Sequence, residues 1–173
     1  MRGRLTETRA LIIVAAEEEG RGIGRIRMRH IADASASSLH SFVRASVAPG
    51  SAVHTDGWTG YSGLAGKGYV HEVTVLKGRR ETASELLPRV HRVISLLKRR
   101  LMGTHQGAVS HKHLDSYLDE FTFRFNRRKS KSRGKLFYRL AQQAVAVEPA
   151  PYDAIVKQTR RQTPQPKLQV VVR

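Results

Sequence analysis

Hydrophobic and polar positions along the chain repeat with two periods, and the switches between them divide it into elements. Ala10 to Ala16 is a continuous apolar run with the length and composition of a buried strand. A charged, glycine-containing turn follows from Glu17 to Gly24. Ile23 to Ile31 then alternates, with Ile26 and Met28 on one face and Arg25, Arg27 and Arg29 on the other. Period two with one basic face predicts a strand with one wet side, and the short connection predicts an antiparallel hairpin. Asp33 to Ser38 offers capping side chains. Leu39, Phe42, Val43 and Val47 follow at helical spacing until Pro49-Gly50 stops the helix. Ser51 to Thr55 predicts a short buried strand ending in Asp56-Gly57, and Val70 to Leu76 predicts another.

The clearest helix is Leu86 to Leu101, whose apolar residues at 86, 90, 93, 94, 97 and 101 form a single stripe. Pro88 sits in its first turn, Lys98, Arg99 and Arg100 crowd its C-terminal end, and Gly103 stops it. A second helix runs from about Ser110, with Leu114, Tyr117, Leu118, Phe121 and Phe125 on one face. Residues 121–125 also alternate, as a strand would, but the helical stripe is longer. A basic connection from Arg124 to Lys135 leads to a third helix, Leu136 to Val147, with Phe137, Leu140, Ala141 and Ala144 inward. From Glu148 onward, four prolines and little periodicity predict a disordered tail, in which Leu168 to Val172 has the composition of an edge strand. No internal repeat is present.

Charge changes this picture most. The 173 residues carry 31 Lys and Arg against 14 Asp and Glu, a formal net charge of +17. Residues 1–78 hold 10 basic and 7 acidic side chains, residues 79–139 hold 16 and 5, and the remainder 5 and 2. So uneven an excess predicts a polyanionic partner, nucleic acid before membrane, lying along the second half. No segment pairs the basic patch with a wide aromatic and leucine face, and no apolar run is long enough to span a bilayer. With no cysteine, disulfides and thiolate zinc sites are excluded.

Two places could carry chemistry together. A carboxylate at the C-terminal lip of a strand, as at Asp56, is held rigidly with its oxygens facing out, although a lone Asp-Gly is also an ordinary turn. His91 and Lys98 are seven residues apart on the stripe helix, hence on one side, with Ser95 between them. If that helix lies against the sheet, His91 can join Asp56 as a metal ligand while Lys98 touches a neighbouring phosphate. The bland alternative is a surface histidine and a solvated lysine. His105, His111 and His113 read as polar surface, and Asp115, Asp119 and Glu120 as ion-pair partners for nearby arginines. Ser35 reads as a cap and not a nucleophile, and Gly20 to Gly24 is too short for a dinucleotide loop.

Four motifs in order then carry a resemblance. They are His54-Thr55-Asp56-Gly57-Trp58-Thr59-Gly60-Tyr61, Leu87-Pro88 through His91 to Lys98, Gly103-Thr104-His105-Gln106-Gly107, and Tyr117-Leu118-Asp119-Glu120-Phe121 through Asn126. Together, over about residues 10–145, they resemble bacterial insertion-sequence transposases of the ISXO-two-like group, the IS fifteen-ninety-five family. The resemblance implies an α/β, RNase H-like fold, a mixed sheet flanked by helices. It also implies an acidic triad that uses two Mg²⁺ (or Mn²⁺) ions to cut and rejoin DNA.

On that pattern Asp56 is the second carboxylate, His91 the third position after 34 intervening residues, and Lys98 the associated basic residue. The family's first catalytic aspartate lies on a strand upstream of Ala10, and Met1 to Arg9 contains no Asp. The expectation is therefore a truncated remnant at 1–9, a catalytic domain at 10–147 lacking its first strand, and a disordered tail at 148–173. Such a chain would be catalytically impaired. Its implied partners are transposon-end and target DNA, further copies of itself in a transposition complex, and no membrane, in a bacterial cytoplasm near the nucleoid. The alternative is a non-catalytic nucleic-acid-binding protein. Lys98, Arg99, Arg100, Arg124, Arg127, Arg128 and Lys131 are the expected phosphate contacts on either reading.

Overall fold

The computed structural model describes residues 10–75, 83–104, 109, 111–149 and 151–153. The chain divides into two units, one of residues 1–126 with 166–173 and one of residues 127–165.

In the first unit, β1 (Leu11–Glu19) and β2 (Gly22–Ile31) pair antiparallel, from Leu11 opposite Ile31 to Glu19 opposite Gly22. The expected turn shrinks to Gly20-Arg21, because both strands extend through charged residues whose side chains stay in water. Gly20 turns at φ 55, a left-handed conformation that favours glycine. The register slips between Ala16 and Glu18, where Glu17 bulges and its carboxylate accepts the Arg25 N–H at 2.8 Å.

Alternation along β1 feeds two cores. Ile12, Val14 and Ala16 face one cluster, with Ile26, Val93, Leu97, Leu101, Leu114, Leu118 and Phe121. Leu11, Ile13 and Ala15 face the other, with Ile31, Leu39, Phe42, Val43, Tyr61, Leu64 and Tyr69. The continuous apolar run is thus explained: both faces of β1 are covered. Helix α1 (Ala36–Ser46) closes the second cluster, and Ser35 caps it by accepting the Ser38 N–H at 3.3 Å. Short α2 (Ala83–Leu86) precedes α3 (Pro88–Gly103). Helix α3, together with α4 (Leu114–Asn126), closes the first cluster. The stripe on α3 places Val93, Ile94, Leu97 and Leu101 inside, each worth about 1.5–3 kcal/mol of burial.

Strand β3 (Ala52–Thr55) pairs in parallel with β4 (Val70–Val73), so the described strands form two two-stranded sheets. Several expectations change here. Strand β3 is not buried along its length: Ala52 and His54 are exposed and only Thr55 is inside, because half a strand pair covers little. Strand β4 ends at Val73, and Leu76 lies outside the described residues. A 3₁₀ turn, His111–His113, takes the place of the first turn expected from Ser110, and α4 starts at Leu114. Residues 121–125 are helical, since their apolar side chains have a core to face only at helical spacing.

In the second unit, α5 (Arg133–Val145) begins a turn earlier than expected. Its apolar residues are not inward: Phe137 is 75% and Leu140 52% exposed. Leu168 to Val172 lies outside the described residues.

Candidate metal and phosphate site

Asp56 follows directly on β3, and the last residue of that strand is fixed from two sides. The Thr55 carbonyl accepts the Thr74 N–H at 2.9 Å, and the Thr55 hydroxyl is hydrogen-bonded to His71 Nε2 at 2.9 Å. On the opposite face His54 Nε2 is hydrogen-bonded to the Thr74 hydroxyl. Gly57 turns the chain away at φ 79, and a Cβ there would lie 3.2 Å from Val73 Cγ1. The Asp56 carboxylate accepts the Trp58 N–H through Oδ1 at 3.2 Å, an Asx turn that leaves Oδ2 for another partner. The turn that the Asp-Gly pair suggested is therefore present, and it leaves the second carboxylate oxygen pointing away from the Trp58 N–H.

The second component comes from α3. Arg89 in its first turn grips the β1–β2 turn: Nη1 meets Glu18 Oε1 at 2.7 Å, Nη2 donates to the Gly20 carbonyl at 2.5 Å, and Nε donates to that of Gly22 at 3.1 Å. His91 lies two residues further on. The Ser95 hydroxyl donates to the His91 carbonyl at 2.9 Å, so it serves the helix and adds no ligand. Burial and the Lys98 ammonium lower the His91 pKa, and the Asp56 carboxylate opposes them. Asp56, His91 and Lys98 thus share one electrostatic neighbourhood. The net direction keeps the imidazole neutral at pH 7, the state a metal ligand needs.

These opposing influences give a two-sided test. By NMR titration of the imidazole, Lys98→Met will raise the His91 pKa and Asp56→Asn will lower it further. Unchanged values in both variants would mean the three side chains are not together.

Tyr61, which the sequence marks only as the end of the first motif, is a further neighbour of Asp56. Burial, then the Asp56 charge, push its hydroxyl up to about 12. Both it and Arg89 act through contacts between distant segments, which no local periodicity marks.

The expected phosphate contacts separate into groups. Lys98 and Arg99 are exposed on α3. Arg100 Nη2 contacts both oxygens of Glu120, at 2.8 and 2.7 Å, and Arg124 Nη2 contacts Glu120 Oε1 at 2.8 Å. Glu120 is therefore the ion-pair partner that the sequence suggested, and it already holds Arg100 and Arg124, two of the arginines expected to contact phosphate. Arg127, Arg128 and Lys131 belong to the second unit. Asp115 and Asp119 are exposed, His113 is half-buried, and His105 and the His111 side chain lie outside the described residues. Asp33 accepts the Ser35 N–H at 2.9 Å and the Ser38 hydroxyl at 2.8 Å, bonds that hold its pKa down ahead of α1.

Among the described residues, no group of three or more His, Cys, Asp or Glu side chains could hold a metal ion. No helix among the described residues is long and apolar enough to cross a membrane.

The sequence model of the ISXO2-like transposase domain matches residues 1–126. That match spans Asp56, His91 and Lys98 and ends where the first unit passes into the second. A search of curated proteins gave no match.

Proposed function

The chain belongs to the ISXO2-like transposase family, and on that premise we propose that its first unit is the strand-cleaving and strand-joining domain of an insertion sequence. The observation that carries this reading is the shared electrostatic neighbourhood of Asp56, His91 and Lys98, residues that β3 and α3 bring from separate segments. The order β1, β2, α1, β3, β4, then α2 and the α3 helix that bears His91, is compatible with an RNase H-like arrangement.

Asp56 through Oδ2 and His91 through its neutral ring would hold a divalent cation. Bound there, Mg²⁺ or Mn²⁺ would polarise a phosphodiester oxygen and activate the attacking hydroxyl. Lys98 and the neighbouring Arg99 neutralise phosphate charge on the strand being positioned. The Thr55–His71 bond and the Arg89 clamp hold the two ligand-bearing segments in place before DNA arrives.

A site that these two side chains alone supply would leave most of the coordination shell to water, so on this reading affinity will be weak and cleavage by the purified chain slight. Mn²⁺ titration followed by electron paramagnetic resonance tests the site. Asp56→Asn and His91→Ala will each weaken uptake about tenfold or more relative to the unsubstituted chain. Equal Mn²⁺ uptake by all three proteins would refute the assignment.

The net charge of +17 also favours a second reading, a basic nucleic-acid-binding protein without catalysis. There, Asp56→Asn leaves metal uptake and DNA affinity unaltered, and DNA binding falls steeply with salt.

A further inference from the structure

We infer that the apolar face of α5 is a pairing surface for the α5 of a second copy of this chain, the two helices running antiparallel. The surface lies wholly in the second unit and does not depend on the metal-site reading.

A helix of 13 residues is marginal in water by itself and is normally held by burying one face. Helix α5 buries almost nothing: from Lys135 to Val147 every residue except Leu136 is exposed. Its residues are nevertheless sorted. Phe137, Leu140 and Ala144, with Val147 just past the helix end, recur at alternating spacings of three and four, the seam of a two-helix coiled coil. Lys135, Arg139 and Gln142 fall on the far side of the helix. A contiguous apolar face left bare in this way marks an interaction surface.

The positions beside the seam decide between occupants. Leu136, Ala141 and Gln143 flank it, and none carries a charge. An acidic partner helix would find no cation there to pair with. An anionic bilayer needs basic side chains at the rim of the inserted face, where α5 has none. A phosphate polymer would be drawn to Lys135 and Arg139 and leave the apolar side uncovered. A second α5 meets no repulsion and no unmatched charge across neutral flanks, so like pairs with like.

Shape and charge then set the direction. In an antiparallel pair Leu140 of each copy falls opposite Ala144 of the other, large against small in both layers. A parallel pair would set Ala144 against Ala144 and leave a void, and would bring the two copies of Lys135 and Arg139 to the same end. Running antiparallel separates those cations, opposes the helix dipoles, and brings Glu148 of each copy towards Lys135 of the other. So short a seam falls well below the roughly 800 Å² per partner of a standard interface, which gives a weak pair with a dissociation constant on the order of 0.1 mM.

The chain has no cysteine, so an introduced one reports on its own position. Full chains carrying Leu140→Cys and Ala144→Cys, one of them lengthened by a mass tag, are mixed in equal amounts without DNA and oxidised. A disulfide needs Cα atoms within about 7 Å, so the mixed product will exceed either same-position product by about tenfold, against about twofold for random collision. In sedimentation the parent will pass from monomer to dimer as its concentration rises, and Leu140→Glu will stay monomeric over the same range. If circular dichroism shows that Leu140→Glu has lost helix, the cross-linking ratio decides alone. An excess of same-position products overturns the antiparallel pairing. A random ratio from a parent that stays monomeric overturns self-association and leaves this face to a different partner.

Discussion

Replacing Asn126 with leucine will lower the unfolding free energy by about 2–4 kcal/mol. The Asn126 amide does for β2 what a neighbouring strand would do. Its Oδ1 accepts the Ile26 N–H at 2.7 Å, and its Nδ2 donates to the Ile26 carbonyl at 3.0 Å. Ile26 is 1% exposed and lies in the cluster shared with α3 and α4. Leucine matches the shape and offers neither group, so one N–H and one C=O are left without their partner. Each such orphan costs about 1–3 kcal/mol where water cannot reach it, and the part-buried geometry keeps the sum below the upper end. Asn126→Asp keeps the acceptor and loses the donor, so it will fall between the two. Urea unfolding separates the cases: the midpoint will drop while the slope stays constant. A leucine variant within about 0.5 kcal/mol of the parent would show that Asn126 is merely a surface residue.

That amide explains why part of the fold was legible in the sequence and part was not. The hairpin was legible because alternation is a local signal, and the residues at 11–16 and 23–31 carry it strongly. The stripe on α3 was legible for the same reason, and it placed His91 and Lys98 on one side before any contact was known. Asn126 and Ile26 are 100 positions apart, and no pattern near either residue announces that they meet. Trp58 and Ala34, 24 positions apart, are another such pair.

Burial was less legible than periodicity. Ser51 to Thr55 has the composition of a core strand, yet composition cannot tell whether one neighbour or two will cover it. The same limit applies to α5. Its spacing correctly announces two unlike faces, but a stripe says nothing about whether a partner exists, and Tyr138 is 65% and Val145 85% exposed. For the candidate site, helical spacing and the family resemblance pointed to Asp56, His91 and Lys98. Tyr61 stood in the first motif without a role, and its burial near the carboxylate came only from the folded arrangement.

Tyr61 therefore yields the second large effect, a loss of stability in alkali. In an unfolded chain its hydroxyl ionises near the usual value of 10, whereas in the folded protein it is held to about 12, first by burial and then by the Asp56 charge. A raised folded pKa favours the protonated native state. The associated stability is fully present below pH 10 and is lost as pH rises through 12. Two units correspond to about 3 kcal/mol at most. Tyr61→Phe cannot ionise, so its stability will decline less across that window, and the difference between the two curves isolates this tyrosine from the other four. Asp56→Asn will remove only the smaller part, because burial is the leading cause. Asp56→Asn will therefore move the tyrosinate absorbance transition of Tyr61 to slightly lower pH. A transition that ignores Asp56→Asn would mean that burial alone holds the proton on Tyr61.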